Sequence, residues 1–65
     1  MHITVNGETV QTGETTLLAY LVATGVNPAA IAVELNLNIV AKSDYARTPL
    51  QAGDRIEIVH FVGGG

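Results

Sequence analysis

The segment RIEIVHF at residues 55–61 decides the fold, and it runs directly into VGGG at residues 62–65. Ile56 and Ile58 alternate with Glu57, a pattern that predicts a β-strand with one buried face. The three glycines that follow pack no side chain and lose the most entropy on ordering. They add nothing to a core. We therefore interpret them as a thin arm that presents a free carboxylate to another protein, rather than as a loose end without a role.

The first half of the chain predicts a hairpin followed by a helix. Residues 2–5 and 8–11 alternate in polarity around Asn6-Gly7, a strong hairpin signal because a type I′ turn needs positive φ at both central residues. Thr15 or Thr16 suits a helix N-cap, and Gly25 suits the helix C-terminus. Between them, apolar residues at helical spacing predict one buried stripe made of Leu17, Leu18, Leu21 and Val22.

The second half predicts three more strands. Residues 31–35 alternate with Val33 and Leu35 inward, residues 39–40 form a short strand, and residues 55–61 form the last one. A single helix can cover only one face of a sheet, so the other face stays open. The helix-containing connection allows the first and last strands to be parallel central neighbours. The fold class is therefore α+β, a mixed sheet of four to five strands with one main helix on one face.

The composition of the chain excludes several classes of function. The 65 residues allow one domain, and the absence of cysteine excludes disulfides, thiolate metal sites and a cysteine nucleophile. The net charge is −3, and the three basic residues, Lys42, Arg47 and Arg55, do not cluster, which argues against a nucleic-acid partner. Residues 1–5 lack the features of a signal peptide and no apolar run could span a membrane. We expect a cytoplasmic protein that is monomeric when free.

These features together resemble one family. The Asn6-Gly7 hairpin, the single helix, the Val33-Glu34-Leu35-Asn36 segment, the Gly53-Asp54 turn and the glycine ending are similar to the ThiS family, the ubiquitin-like β-grasp sulfur carriers of thiamin thiazole biosynthesis. The chain departs from the family at Leu37, where glycine is common. Because leucine at positive φ is costly, we expect this turn to differ in shape, with Asn36 or Asn38 in the left-handed conformation.

The resemblance implies a carrier without catalytic side chains or a bound cofactor. Residues 1–62 would form the β-grasp domain, and Gly63 and Gly64 would thread the active site of a partner. An E1-like (ThiF-like) adenylyltransferase would use ATP to adenylate Gly65, a sulfur donor would convert it to a thiocarboxylate, and a ThiG-like thiazole synthase would take the sulfur. The alternatives are the small subunit of molybdopterin synthase, with the same chemistry and another acceptor, and a β-grasp interaction module that carries nothing.

Two further groups of residues need an interpretation. Alternation places Val59 and Phe61 on the open face if Ile56 and Ile58 face the core, and with Val62 they form a predicted docking patch for the partner enzyme. His2 and His60 lie on strands predicted to be neighbours. Two histidines without a carboxylate cluster make a poor metal site, so we predict no metal.

Overall fold

The computed structural model describes residues 1–61. Within that range it contains one α-helix, five strands and two short 3₁₀ turns. In chain order they are β1 (His2–Val5), β2 (Glu8–Gln11), α1 (Leu17–Thr24), a first 3₁₀ turn (Pro28–Ala30), β3 (Ile31–Leu35), β4 (Asn38–Val40), a second 3₁₀ turn (Lys42–Arg47) and β5 (Arg55–His60). The predicted strands and helix are all present, with bounds that differ by a residue or two.

The five strands form one mixed sheet in the order β2-β1-β5-β3-β4. β5 lies at the centre, parallel to β1 and antiparallel to β3, which confirms the predicted pairing of the first and last strands. Helix α1 packs against one side of this sheet. The predicted α+β architecture, a five-stranded mixed sheet with one main helix on one face, is therefore confirmed.

The core lies between α1 and the inner side of the sheet. Nine hydrophobic residues are buried there, contributed by strands, helix and the segments around the second 3₁₀ turn: Ile3, Leu17, Tyr20, Leu21, Ile31, Val33, Tyr45, Leu50 and Ile56. Burial raises the pKa of the Tyr45 phenol above its ordinary value of 10.0, so the phenol is neutral at physiological pH.

The predicted helical stripe is partly wrong. Leu17 and Leu21 are fully buried and Leu18 packs against the core, but Val22 is 61% exposed and Tyr20, which the stripe omitted, is buried. The buried residues of α1 are spaced i, i+3 and i+4, so they centre the inward face between Tyr20 and Leu21. Val22 lies about 100° around the helix from Leu21, or about 150° from that centre, and faces away from the sheet.

Both ends of α1 follow the sequence signals. Thr16 is the N-cap, with extended φ and ψ of −126° and 157°, and its Oγ1 accepts a hydrogen bond of 3.2 Å from the Ala19 N–H. Gly25 ends the helix with φ of 85°, and its N–H donates to the Val22 carbonyl at 3.0 Å. These caps hold the helix to eight residues.

The β3–β4 turn contains a strained leucine. Asn36 has φ of 51°, as expected, but Leu37 also has positive φ, 74°, so the turn keeps the type I′ shape instead of avoiding it. The expectation that leucine would change the turn is therefore wrong. The Asn36 side chain helps to fix this shape, because its Oδ1 accepts from the Arg55 N–H at 2.9 Å and its Nδ2 donates to Asp54 Oδ1 at 3.0 Å.

Replacing Leu37 with glycine should stabilise the protein. The leucine side chain is 88% exposed, so little packing is lost. Glycine has no Cβ, so the steric strain of the left-handed backbone is relieved. We expect about 1 kcal/mol, or about 4–8 °C in Tm, by thermal unfolding. Leu37→Ala is the control: it removes the apolar side chain but keeps the Cβ, and should melt close to the parent. If Leu37→Ala gained as much as Leu37→Gly, side-chain exposure rather than backbone strain would be the cause.

Candidate functional site

The candidate site lies at the C-terminal end of β5, where the chain leaves the sheet. β5 is held on both sides almost to its end. On one side, the Asn6 side chain continues β1 by accepting from the Ile58 N–H at 2.7 Å and donating to the Ile58 carbonyl at 3.2 Å. On the other side, the Phe61 N–H donates to the Ala30 carbonyl at 2.9 Å. The strand is therefore a rigid base up to Phe61.

The outer face of the sheet, meaning the side away from α1, is open as predicted. Ile56 is fully buried and Ile58 packs against the core, whereas Val59 is 58% exposed and Phe61 is 61% exposed. Of the predicted docking patch, Val59 and Phe61 thus lie together next to the end of β5. Val62, the third member, lies outside the described residues.

Two exposed features near this patch were missed by sequence reasoning. The Lys42 Nζ lies 5.0 Å from the centroid of the Phe61 ring, a cation–π contact that orients the ring. Ile39 is 81% exposed and pairs across the sheet with Glu34. Neither could be read from the sequence, because both depend on how β4 and the second 3₁₀ turn are placed beside β3.

The two histidines do not come together. His2 begins β1, where its carbonyl accepts from the Gly53 N–H at 2.8 Å, just before β5 starts. His60 ends β5 and pairs with Ile31 of β3. The length of β5, about 3.3 Å per residue over six residues, therefore separates them. Among residues 1–61 no three side chains of His, Cys, Asp or Glu converge as a metal site would require.

A shallow apolar groove lies beside α1, on the helix side of the molecule. It has a volume of about 490 Å³, and its lining includes Leu18, Ala19, Val22 and Ala46. Its polar lining residues are Glu14 and Thr16, and the Thr16 Oγ1 already accepts the capping hydrogen bond from Ala19, so the groove lacks the convergent polar groups that fix a small ligand. In the part of the chain that the structure describes, no helix is long and apolar enough to cross a membrane.

The predicted reacting segment itself, Gly63, Gly64 and Gly65, lies outside the described residues. What the structure establishes is its attachment point. The Phe61 N–H donates to the Ala30 carbonyl of the first 3₁₀ turn at the edge of the open face, and residues 62–65 follow in the sequence. Fully extended, four residues reach about 13–14 Å.

The comparison with known families decides the identity. The sequence profile of the ThiS family matches residues 2–65, nearly the whole chain. The chain belongs to the ThiS family. A ThiS protein of thiamine biosynthesis from Geobacter metallireducens has the same fold, with a TM-score of 0.85, 29% sequence identity and full coverage of both chains in the crystal structure. The solution structure of a thiamine biosynthesis protein from that organism gives a TM-score of 0.79 at 35% identity, covering all of this chain and 88% of the other.

Two curated relatives of this ThiS-family chain are larger proteins. They are the thiazole synthases of Paramagnetospirillum magneticum, 44% identical over 66 residues, and of Magnetococcus marinus, 43% identical over 67 residues. Each match covers all of this chain and 20% of the relative. The chain thus spans about a fifth of the length of these relatives, and the similarity concerns their ThiS-like part.

Proposed function

We propose that this ThiS-family chain is a sulfur carrier whose Gly65 carboxylate is activated and converted to a thiocarboxylate. The observation that carries the proposal is the family match over residues 2–65, which includes the glycine segment. The fold supports it, because β5 is the central strand of the sheet and leads directly into that segment. Residues 1–62 serve as the folded handle and residues 63–65 as the arm.

Activation is needed because the free carboxylate is a poor electrophile. A terminal carboxyl group has a pKa of about 3.3–3.7 and is ionised at pH 7. In the proposed first step a carboxylate oxygen attacks the α-phosphate of ATP, pyrophosphate leaves and an acyl-adenylate forms. A hydrosulfide equivalent then attacks the carbonyl carbon, AMP leaves and the carboxylate becomes a thiocarboxylate. ATP and the sulfur donor are bound by the partner enzymes.

Glycine at the reacting positions suits this chemistry. Without a Cβ, the backbone at Gly64 and Gly65 can lie close to a nucleotide and adopt conformations that other residues avoid. The chain supplies no side chain for the reaction: its part is to be recognised and to deliver the carboxylate. It is therefore a co-substrate rather than an enzyme.

Two partners follow from the proposal. An E1-like adenylyltransferase carries out the activation, and a thiazole synthase takes the sulfur. The names of the curated relatives support the second partner, since proteins called thiazole synthase contain a segment similar to this chain. If the thiocarboxylated protein instead served as the small subunit of molybdopterin synthase, the thiazole assignment would be refuted while the carrier chemistry stayed intact.

Phe61→Ala should weaken recognition by the adenylyltransferase. Phe61 is an exposed aromatic residue at the base of the arm, and buried aromatic anchors often contribute about 2 kcal/mol or more to an interface. We expect the KM for the carrier in ATP–pyrophosphate exchange to rise about 30-fold, with the melting temperature little changed. Val22→Ala is the matched control, because Val22 is also 61% exposed but lies on the helix side. Equal KM values for the two variants would show that Phe61 does not contribute to docking.

A further inference from the structure

Two glutamates face each other on the outer face of the sheet. Glu34 of β3 and Glu57 of β5 are direct partners in the antiparallel ladder, so their side chains project from the same side. Glu57 is exposed and Glu34 is half-buried. Like charges directly opposite each other destabilise a sheet, and partial burial reduces the screening by water. The fold alone gives no reason for this pair.

Neither carboxylate forms an ion pair within 4.0 Å in the described part of the chain. Arg47 is paired with Asp44 at 2.7 Å, the single ion pair within 4.0 Å among residues 1–61. Lys42 lies over Phe61 instead. Arg55 shares the outer face two residues before Glu57, but it makes no ion pair of that length. Over residues 1–61, the glutamate pair therefore has no ion-pair partner within 4.0 Å.

Apart from Arg55, the neighbours of the pair on the outer face of β3, β4 and β5 are apolar. Ile39, 81% exposed, is the partner of Glu34 on its other side in β4. The next pair on the same face toward the end of β5 is Ala32 with Val59, and Phe61 follows. Two carboxylates thus lie at the border of an exposed hydrophobic surface, about 13 Å along the strand from Phe61. Such a border resembles an interface in which a charged contact adjoins an apolar core.

The charges distinguish between possible occupants of this surface. A second copy placed on it by two-fold symmetry would bring four carboxylates together, which disfavours a homodimer through this face. An arginine side chain, in contrast, presents a planar fork of donors that matches carboxylates and packs well beside apolar groups. The preferred occupant is therefore a protein surface that projects an arginine between apolar side chains.

We propose that Glu34 and Glu57 together accept one basic side chain, preferably arginine, from the enzyme that adenylates Gly65. The inference rests on the proposed function and extends it, because it adds β3 and β4 to the docking surface and states the chemistry of the partner. In the free protein the two carboxylates repel each other. In the complex a cation bound between them attracts both carboxylates and offsets their repulsion. The repulsion raises the free energy of the free protein and the attraction to the cation lowers that of the complex, so both favour binding.

The test compares Glu57→Gln with Glu8→Gln, which removes the same charge from the exposed edge strand β2. Glu57→Gln should raise Tm by about 2–4 °C and raise the KM for the carrier about tenfold in ATP–pyrophosphate exchange at low salt, with a weaker salt dependence than the parent. Glu8→Gln should change none of these. The double variant Glu34→Gln, Glu57→Gln should be no more stable than the better single variant, because each substitution relieves the same repulsion.

The possible results separate this inference from the proposed function. If the parent chain supports no ATP–pyrophosphate exchange, both are overturned. If the parent is adenylated and Glu57→Gln has the KM of Glu8→Gln, only the glutamate site is overturned. If adenylation is unaffected but Glu57→Gln binds purified thiazole synthase more weakly, the assignment of the site to the adenylating enzyme is wrong.

Discussion

Deleting Gly65 should abolish adenylation of the chain while leaving its fold unchanged. One residue spans about 3.3–3.6 Å, so the shortened arm would hold its carboxylate that far from the α-phosphate of ATP. Misplacement of a reacting group by about 1 Å can already cost about 100-fold in rate. We therefore expect ATP–pyrophosphate exchange to fall by at least about 100-fold. The melting temperature should not change, because the buried core lies within residues 3–56.

A glycine change elsewhere provides the control for this deletion. Gly13 has space around it, since a Cβ built there would meet nothing within 4 Å, and its φ is not positive. Gly13→Ala should be adenylated like the parent. A variant with one alanine added after Gly65 provides a second test. The added residue turns the Gly65 carboxylate into an amide and should also abolish activation at Gly65. Full activity of the deletion variant would show that the reacting group is elsewhere.

Ile56→Ala should destabilise the fold more than any surface change on the same strand. Ile56 has no exposed surface and lies in the central strand, paired with Val5 on one side and Leu35 on the other. Removing a buried isoleucine side chain costs about 2–5 kcal/mol. For a domain of 65 residues the whole stability is about 3–10 kcal/mol. We expect Tm to fall by more than about 10 °C in thermal unfolding followed by circular dichroism.

Val59→Ala is the matched control on the same strand. Val59 is three residues further along β5 and 58% exposed on the outer face, so its truncation should alter the free energy of unfolding by no more than about 0.5 kcal/mol. A similar loss for both variants would mean that the two faces of β5 are not divided into a core side and an open side. The interpretation of the outer face as a docking surface would then fail as well.

Local signals in the sequence predicted most of the fold. Asn6-Gly7 predicted the first hairpin because few residues tolerate two successive positive φ values, and the structure has φ of 50° and 84° there. The alternation of Ile56, Glu57 and Ile58 predicted a one-sided strand, and its central position followed from topology rules. These features depend on neighbours in the sequence, so the sequence is sufficient to find them.

The sequence predictions missed, or gave wrongly, the features that depend on how distant segments are placed in the fold. Helical spacing could not decide whether Tyr20 or Val22 faces the core, because a helix of eight residues has apolar side chains over much of its circumference. The strain at Leu37 followed from hydrogen bonds that Asn36 makes to Asp54 and Arg55, distant in sequence. Similarly, the opposition of Glu34 and Glu57 depends on the register between β3 and β5, which no local pattern specifies.

The central claim is that the last residue of this ThiS-family chain is the group that changes chemically. Intact-mass spectrometry of the chain ending at Gly65, incubated with the adenylyltransferase, ATP and a sulfur donor, tests it most directly. The account predicts a gain of about 16 Da, the replacement of one oxygen by sulfur, located on the C-terminal peptide and absent without ATP. An unchanged mass under conditions in which the enzyme activates another carrier protein would contradict it.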